Sequence, residues 1–281
     1  MIEIIQDTVT VADTVHKSES GSAWILHHVM DSHKINFEPF GSFNLPHLSL
    51  FGIDISITKD IFFSWIVAAL LIVLMIIVAK NYKKSLIPKG IANLFEIIII
   101  FVRDEIVKPT IGKGYEPYMP LHLSLFFFIT LAGLFGLLPY STTVTGNIAV
   151  TAALAGISFF AIQIGGIRSN GFLGYFKGLV PSGMPALLLI IIIPLEILGL
   201  FTKPFALCMR LFANMIAGHV VVLSLIGLIF LLKTVWFAVS PISVGFAIFI
   251  YLLELLVIII QAYIFTILTS LFIGMAVHQE H

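Results

Sequence analysis

A chain of 281 residues that is 59% apolar and only 11% charged carries too much hydrophobic surface for a soluble domain, so its place is a bilayer. Fifteen basic and fifteen acidic side chains cancel, which excludes the basic excess of a nucleic-acid binder and the charge bias of an acidic tail. The single cysteine, Cys208, excludes an internal disulfide and lies in an apolar run, where it reads as a small core hydrophobe.

In chain order, residues 1–60 are polar and mixed, with eight acids against three bases, and lack the basic start and short apolar stretch of a cleavable signal. The first apolar segment, 61–79, therefore acts as its own signal; nineteen residues without a charge at about 1.5 Å each come close to one hydrocarbon thickness. Lys80, Lys83, Lys84 and Lys89 follow at once and place that end in the cytoplasm, leaving 1–60 outside. The stretch 91–111 is apolar in stripes but contains Glu96, Arg103, Asp104, Glu105 and Lys108. It is predicted to be an interfacial or bundle-edge amphipathic helix started by Pro88.

Spans are expected over 120–139 and 147–167, joined by an uncharged turn containing Ser141, Thr142, Thr143 and Gly146, as an out-and-back hairpin. Arg168 to Pro185, with four glycines and two prolines, suits a cytoplasmic loop. Two apolar tracts follow, 186–232 and 242–277, each far longer than the roughly 20 residues of a perpendicular span. They must tilt, bend or lie partly along the membrane, with Pro194 and Pro204 able to supply a bend. The predicted fold is an all-α polytopic membrane protein. It has an external segment 1–60 and a membrane domain 61–281 with five membrane helices, the last two long, tilted and paired as a hairpin, and a cytoplasmic C-terminus. No inverted repeat of the secondary-transporter kind is visible.

Ionisable groups at membrane depth are costly and rarely persist without a role. The first long tract carries Glu196, Lys203, Arg210 and His219; the second carries Glu254, with Gln261 as its strongest polar companion. Glu196, Lys203 and Arg210 are seven apart, so they drift only about 20° per step and share one helix face. Arg210 is a permanent cation that needs an anionic partner: it either holds a mobile carboxylate ionised or forms a structural ion pair with Glu254. Lys203 is able to snorkel to the cytoplasmic interface beside Pro204. Asn214 lies one turn beyond Arg210 on nearly the same face, whereas His219 is about 180° round. A histidine there and a carboxyl at Glu254 can relay protons, or simply tie two helices by a buried hydrogen bond. Glu254 and Gln261, again seven apart, give the last helix one polar stripe able to face the first.

Lys203-Pro204 followed by the run Met209-Arg210-Leu211-Phe212-Ala213-Asn214-Met215-Ile216-Ala217-Gly218-His219 resembles the signature of subunit a of F-type ATP synthases. Gln261-Ala262-Tyr263-Ile264-Phe265 leading into Ile267-Leu268-Thr269 is similar to the same family's last helix; Asn147-Ile148-Ala149-Val150-Thr151 and Leu137-Leu138-Pro139 add weaker matches. The resemblance implies a proton-translocating stator in a bacterial inner (plasma) membrane. Two half-channels would pass protons to and from the carboxylates of a rotating c-ring, with peripheral stalk subunit b and membrane lipid as further partners and no nucleic acid. Arg210 matches the family's essential arginine between the half-channels. Glu196 matches a cytoplasmic-side position, and Asn214, His219, Glu254 and Gln261 match positions near the external half-channel. The positive-inside topology also puts Glu196 cytoplasmic and His219 external.

The sequence departs from the family pattern in two ways. Familiar bacterial members carry Glu where His219 stands and His where Glu254 stands; mitochondrial relatives resemble the arrangement here, and the exchange suggests that the two groups meet. Some bacterial members have an aspartate at the position of Gly136, so an acidic relay at that point does not carry over. His27, His28, Asp31 and His33 resemble a metal cluster but lack a second constellation, and His278 and His281 are weaker still. Neither a metal nor any other cofactor is expected. With no phosphate-binding loop or nucleophile-base motif, no ATP hydrolysis is expected of this chain alone. A secondary transporter would show broken repeats; a structural anchor would tolerate neutralisation of Arg210.

Overall fold

The computed structural model describes residues 34–37, 41–44, 49–50, 53–54, 58–84, 90–138, 143–178 and 186–279. Pro88, the cluster His27, His28, Asp31 and His33, and His281 lie outside the described residues. The chain forms two compact units, Met1–Asp60 with Asn214–Val257, and Ile61–Ala213 with Ile258–His281.

Ahead of the membrane helices, β1 (Lys34–Phe37) pairs antiparallel with β2 (Gly41–Asn44), and β3 (Ser49–Leu50) with β4 (Ile53–Asp54). Everything described after them is helical or turn: α1 (Lys59–Lys84), α2 (Ile91–Phe101), α3 (Lys108–Ile111), α4 (Met119–Gly136), α5 (Ile148–Asn170), α6 (Phe172–Gly178), α7 (Ala186–Leu231) and α8 (Trp236–Val277). Among the described residues, Lys59–Asn81, Glu116–Gly136, Ile148–Asn170, Leu189–Ile229 and Val239–Val277 are long and apolar enough to cross a membrane. The all-α polytopic architecture with five spans expected from sequence is the one found, with the two small hairpins added outside it. Helices satisfy their own backbone hydrogen bonds, which is why apolar chains cross lipid in this form.

Within the larger unit, α1 buries a narrow stripe. Phe63 and Val67 pack with Ala132 and Val144, and Val78 packs with Phe95 and Phe127, the two rings stacking at 5.0 Å. Trp65, Ile72, Val73 and Ile76 stay exposed, as lipid-facing side chains do. The stretch expected to be a single helix over 91–111 is helical but changes winding. After α2 comes a π-helical turn, Val102–Val107, that runs into α3. Its extra residue per turn puts the adjacent Ile106 and Val107 both into the core. α3 is pinned to α8: the Thr110 hydroxyl donates to the Ile106 carbonyl at 2.6 Å and meets Ser270 Oγ at 2.6 Å. Gly274 lies so close to the Thr110 carbonyl that a Cβ has no room.

Around this seam lies the main core, with Ile111, Ile129, Leu207, Leu211, Phe265 and Ile273 at its centre. Its buried hydroxyls are bonded back to their own helices, Thr266 to the Ala262 carbonyl at 2.7 Å and Thr269 to Phe265 at 2.8 Å, so they cost little in an apolar setting. Asn147 caps α5 by accepting from the Ala149 N–H at 2.9 Å. The segment read as a plain loop after α5 instead contains the short helix α6, entered through Gly171 at φ 72°. The two long tracts are continuous helices of 46 and 42 residues, about 69 and 63 Å long, roughly twice a hydrocarbon thickness. Pro194 and Pro204 sit inside α7 and Pro241 inside α8.

Candidate functional site

α7 and α8 carry the buried polar groups. In α7, Leu207, Leu211 and Met215 form the buried stripe, while Ala206, Arg210 and Ala213 are exposed. Arg210 makes no hydrogen bond or ion pair with the described residues of its own unit. The alanines beside it leave a low surface on which another helix backbone can approach closely.

The smaller unit brings together two of the residues singled out by sequence. His219 Nδ1 stands 3.5 Å from Glu254 Oε1, the side chains being 26% and 4% exposed, so the expectation that the exchanged acid and imidazole meet is met in this geometry. The second carboxylate oxygen, Oε2, is buried and has no hydrogen-bond partner among the described residues. Gly218 makes the approach possible: a Cβ there would stand 3.1 Å from Glu254 Cδ and 3.2 Å from Oε1. Sequence reasoning named Gly218 only within the family run and gave it no role, although its place beside the histidine was the available signal.

The larger unit holds Glu196, Lys203, Arg210 and Gln261. Gln261 is 2% exposed and shares a buried stripe of α8 with Ala262 and Phe265. Lys203 does not reach out to solvent alone; its ammonium lies over the Phe272 ring, 5.3 Å from the centroid. Glu196 and Lys203 line a cavity of about 360 Å³ together with Gln163, Tyr175, His278 and Gln279. Burial holds the Tyr175 phenol above its usual range, opposed in part by a hydrogen bond with Gln163, so the hydroxyl stays protonated. Leu200 and Pro204 also line the cavity, and Pro204 removes the N–H that would bond the Leu200 carbonyl, freeing an acceptor at this level. Gln163, Tyr175 and Gln279 were missed in the sequence because nothing local marks them; they meet only in the fold.

Gly136, at the position where some family members have an acid, ends α4 against Thr143, whose Cγ2 would be 3.2 Å from an added Cβ. The space for a longer side chain is taken. Among the described residues no group of His, Cys, Asp and Glu has the grouping of a metal centre.

The sequence model of the ATP synthase A chain family matches residues 61–274. The chain belongs to this family. The ATP synthase subunit a of Chloroherpeton thalassium is 52% identical over 260 residues, covering 91% of this chain and 77% of that protein. A subunit a from Chlorobium luteolum is 48% identical, covering 94% and 78%, and that of Myxococcus xanthus is 48% identical, covering 82% and 75%. The first two alignments extend ahead of residue 61, so the family likeness there reaches beyond the membrane helices.

Proposed function

We propose that this member of the ATP synthase A chain family is the proton-translocating stator of the membrane sector, passing protons through two half-channels to and from the carboxylates of a rotating c-ring. The observation that carries the reading is Arg210, a cation that stays protonated in any protein environment, exposed on an apolar helix without a counter-ion among the described residues of its own unit. A membrane-embedded charge calls for an opposite one, and the small face around Arg210 admits a partner helix that carries it. The chain sits in a bacterial inner membrane with 1–60 outside and 278–281 in the cytoplasm, following the lysines at the end of α1. His219 and Glu254, with Asn214 and Gln261, then belong to the external half-channel. Glu196 and its cavity belong to the cytoplasmic one, where the free Leu200 carbonyl favours water. Peripheral stalk subunit b is the second protein partner.

ATP-driven proton uptake into liposomes holding the whole complex tests this. Glu254→Gln removes the group that exchanges a proton with His219 and is expected to slow uptake more than Gln261→Ala, which removes only a hydrogen-bonding amide. Wild-type rates for both would sink the reading. Gly218→Val inserts atoms where the Glu254 carboxyl stands and is expected to slow uptake several-fold in fully assembled complex; an unchanged rate means that the separation of His219 and Glu254 does not matter to transport.

A further inference from the structure

The cavity beside Glu196 has a built rim. α8 ends with its last carbonyls held by the end of α5: Asn170 Nδ2 donates to the Ala276 carbonyl at 2.9 Å, and Ser169 Oγ donates to that of Val277 at 3.1 Å. Just beyond, the His278 N–H closes a turn onto the Gly274 carbonyl at 2.9 Å, and Gln279 Nε2 donates to the Tyr175 carbonyl at 3.3 Å. Gln279 lies against Gly178, where an added Cβ would displace the Gln279 amide, and its Oε1 is buried with no hydrogen-bond partner among the described residues. These contacts fix the path of the chain over the cavity mouth and hold His278 in its wall.

The titratable groups of that wall differ in access. Tyr175 is 1% exposed, Glu196 and Lys203 are half-buried, and His278 is exposed. His278 is thus the titratable wall group that also faces outward. Facing it across the cavity are Glu196 and Lys203 from α7, Tyr175 from α6 and Gln163 from α5. An amide transfers no net charge and a buried phenol holds its proton, whereas an imidazole takes up and releases protons near neutral pH.

We infer that His278 is the proton-exchange group at the cytoplasmic mouth of the cavity, loading and unloading the water around Glu196 from soluble buffer. This rests on the half-channel reading above. A protonated buffer gives its proton to an imidazole nitrogen; the imidazolium passes it to cavity water and on towards the Glu196 carboxylate, and the buffer base leaves unprotonated. During ATP synthesis the same steps run in reverse. His278 touches the transported proton and none of the ring.

The test uses the whole complex in liposomes with its cytoplasmic face outward, following ATP-driven uptake in weak buffer and again in concentrated imidazole buffer. His278→Gln is expected to slow uptake several-fold in weak buffer and to regain the native rate in imidazole, because a mobile buffer replaces the fixed one. His278→Arg, which places a permanent cation there but exchanges no proton, is expected to behave likewise. A native rate in weak buffer overturns the proposal, and so does a deficit that imidazole leaves in place, since that marks a structural rim. Arg210→Ala in parallel separates the two levels: uptake that persists there overturns the stator reading itself, whatever His278 does.

Discussion

Replacing Arg210 with alanine is expected to abolish ATP-driven proton uptake, by at least about a hundredfold, while leaving the subunit in the membrane and the complex assembled. Arg210 is exposed beside Ala206 and Ala213 and bonds nothing among the described residues of its own unit, so its loss opens no core cavity and orphans no partner there. On the proposed function, what disappears is the fixed positive potential at the helix surface that makes an arriving carboxyl give up its proton. Arg210→Lys is expected to fail nearly as badly, because a desolvated ammonium sheds its proton where a guanidinium does not. Uptake in liposomes with an immunoblot of the assembled complex checks both; native rates in assembled Arg210→Ala complex would make the arginine structural.

Gly274→Ala is expected to be the most damaging single methyl among the glycines with a described environment. The added Cβ meets the Thr110 carbonyl and stands 3.3 Å from Ile111 Cα, backbone that cannot swing aside. To admit it, α3 must move off α8, which breaks the 2.6 Å contact between Thr110 and Ser270 and opens the core at Ile273 and Ile111. Overpacking of this kind costs about 3 kcal/mol and lowers the midpoint of thermal unfolding in detergent by roughly 5–10 °C. Gly227→Ala supplies the control: it lies within α7 and an added Cβ there meets nothing within 4 Å, so it is expected to be neutral or slightly stabilising. Equal midpoints for the two variants contradict the argument.

The parts of this molecule that sequence made legible are those with a local cause. Five spans follow from uninterrupted apolar length, and the Glu196, Lys203 and Arg210 face follows from a seven-residue spacing on one helix. The meeting of His219 with Glu254 followed from the exchange of two residue types between positions, because one group's identity constrains the other's only if they touch. What stayed hidden depends on partners distant in sequence. The π-helical turn at Val102–Val107 has no compositional mark; it is selected by the fit of Ile106 and Val107 into the core. Tyr175 sits in the run Phe172-Leu173-Gly174-Tyr175-Phe176-Lys177-Gly178, whose glycines read as loop. Its burial is visible only once Gly166 is seen to lack the side chain that would strike the ring.

The clamp on the end of α8 carries a consequence for how the protein is made. Asn170 and the Ala276 carbonyl are 106 residues apart, so α5 is synthesised and inserted long before its partners emerge from the ribosome. Until α8 arrives, the amide of Asn170 and the hydroxyl of Ser169 face water or lipid headgroups, and the walls beside Glu196 stand open on one side. Closing that gap is a long-range step, slow by its loop entropy, and it follows insertion of every other span. A nascent chain therefore reaches the bilayer with the walls of the Glu196 cavity still apart, and that cavity is completed only when the end of α8 docks.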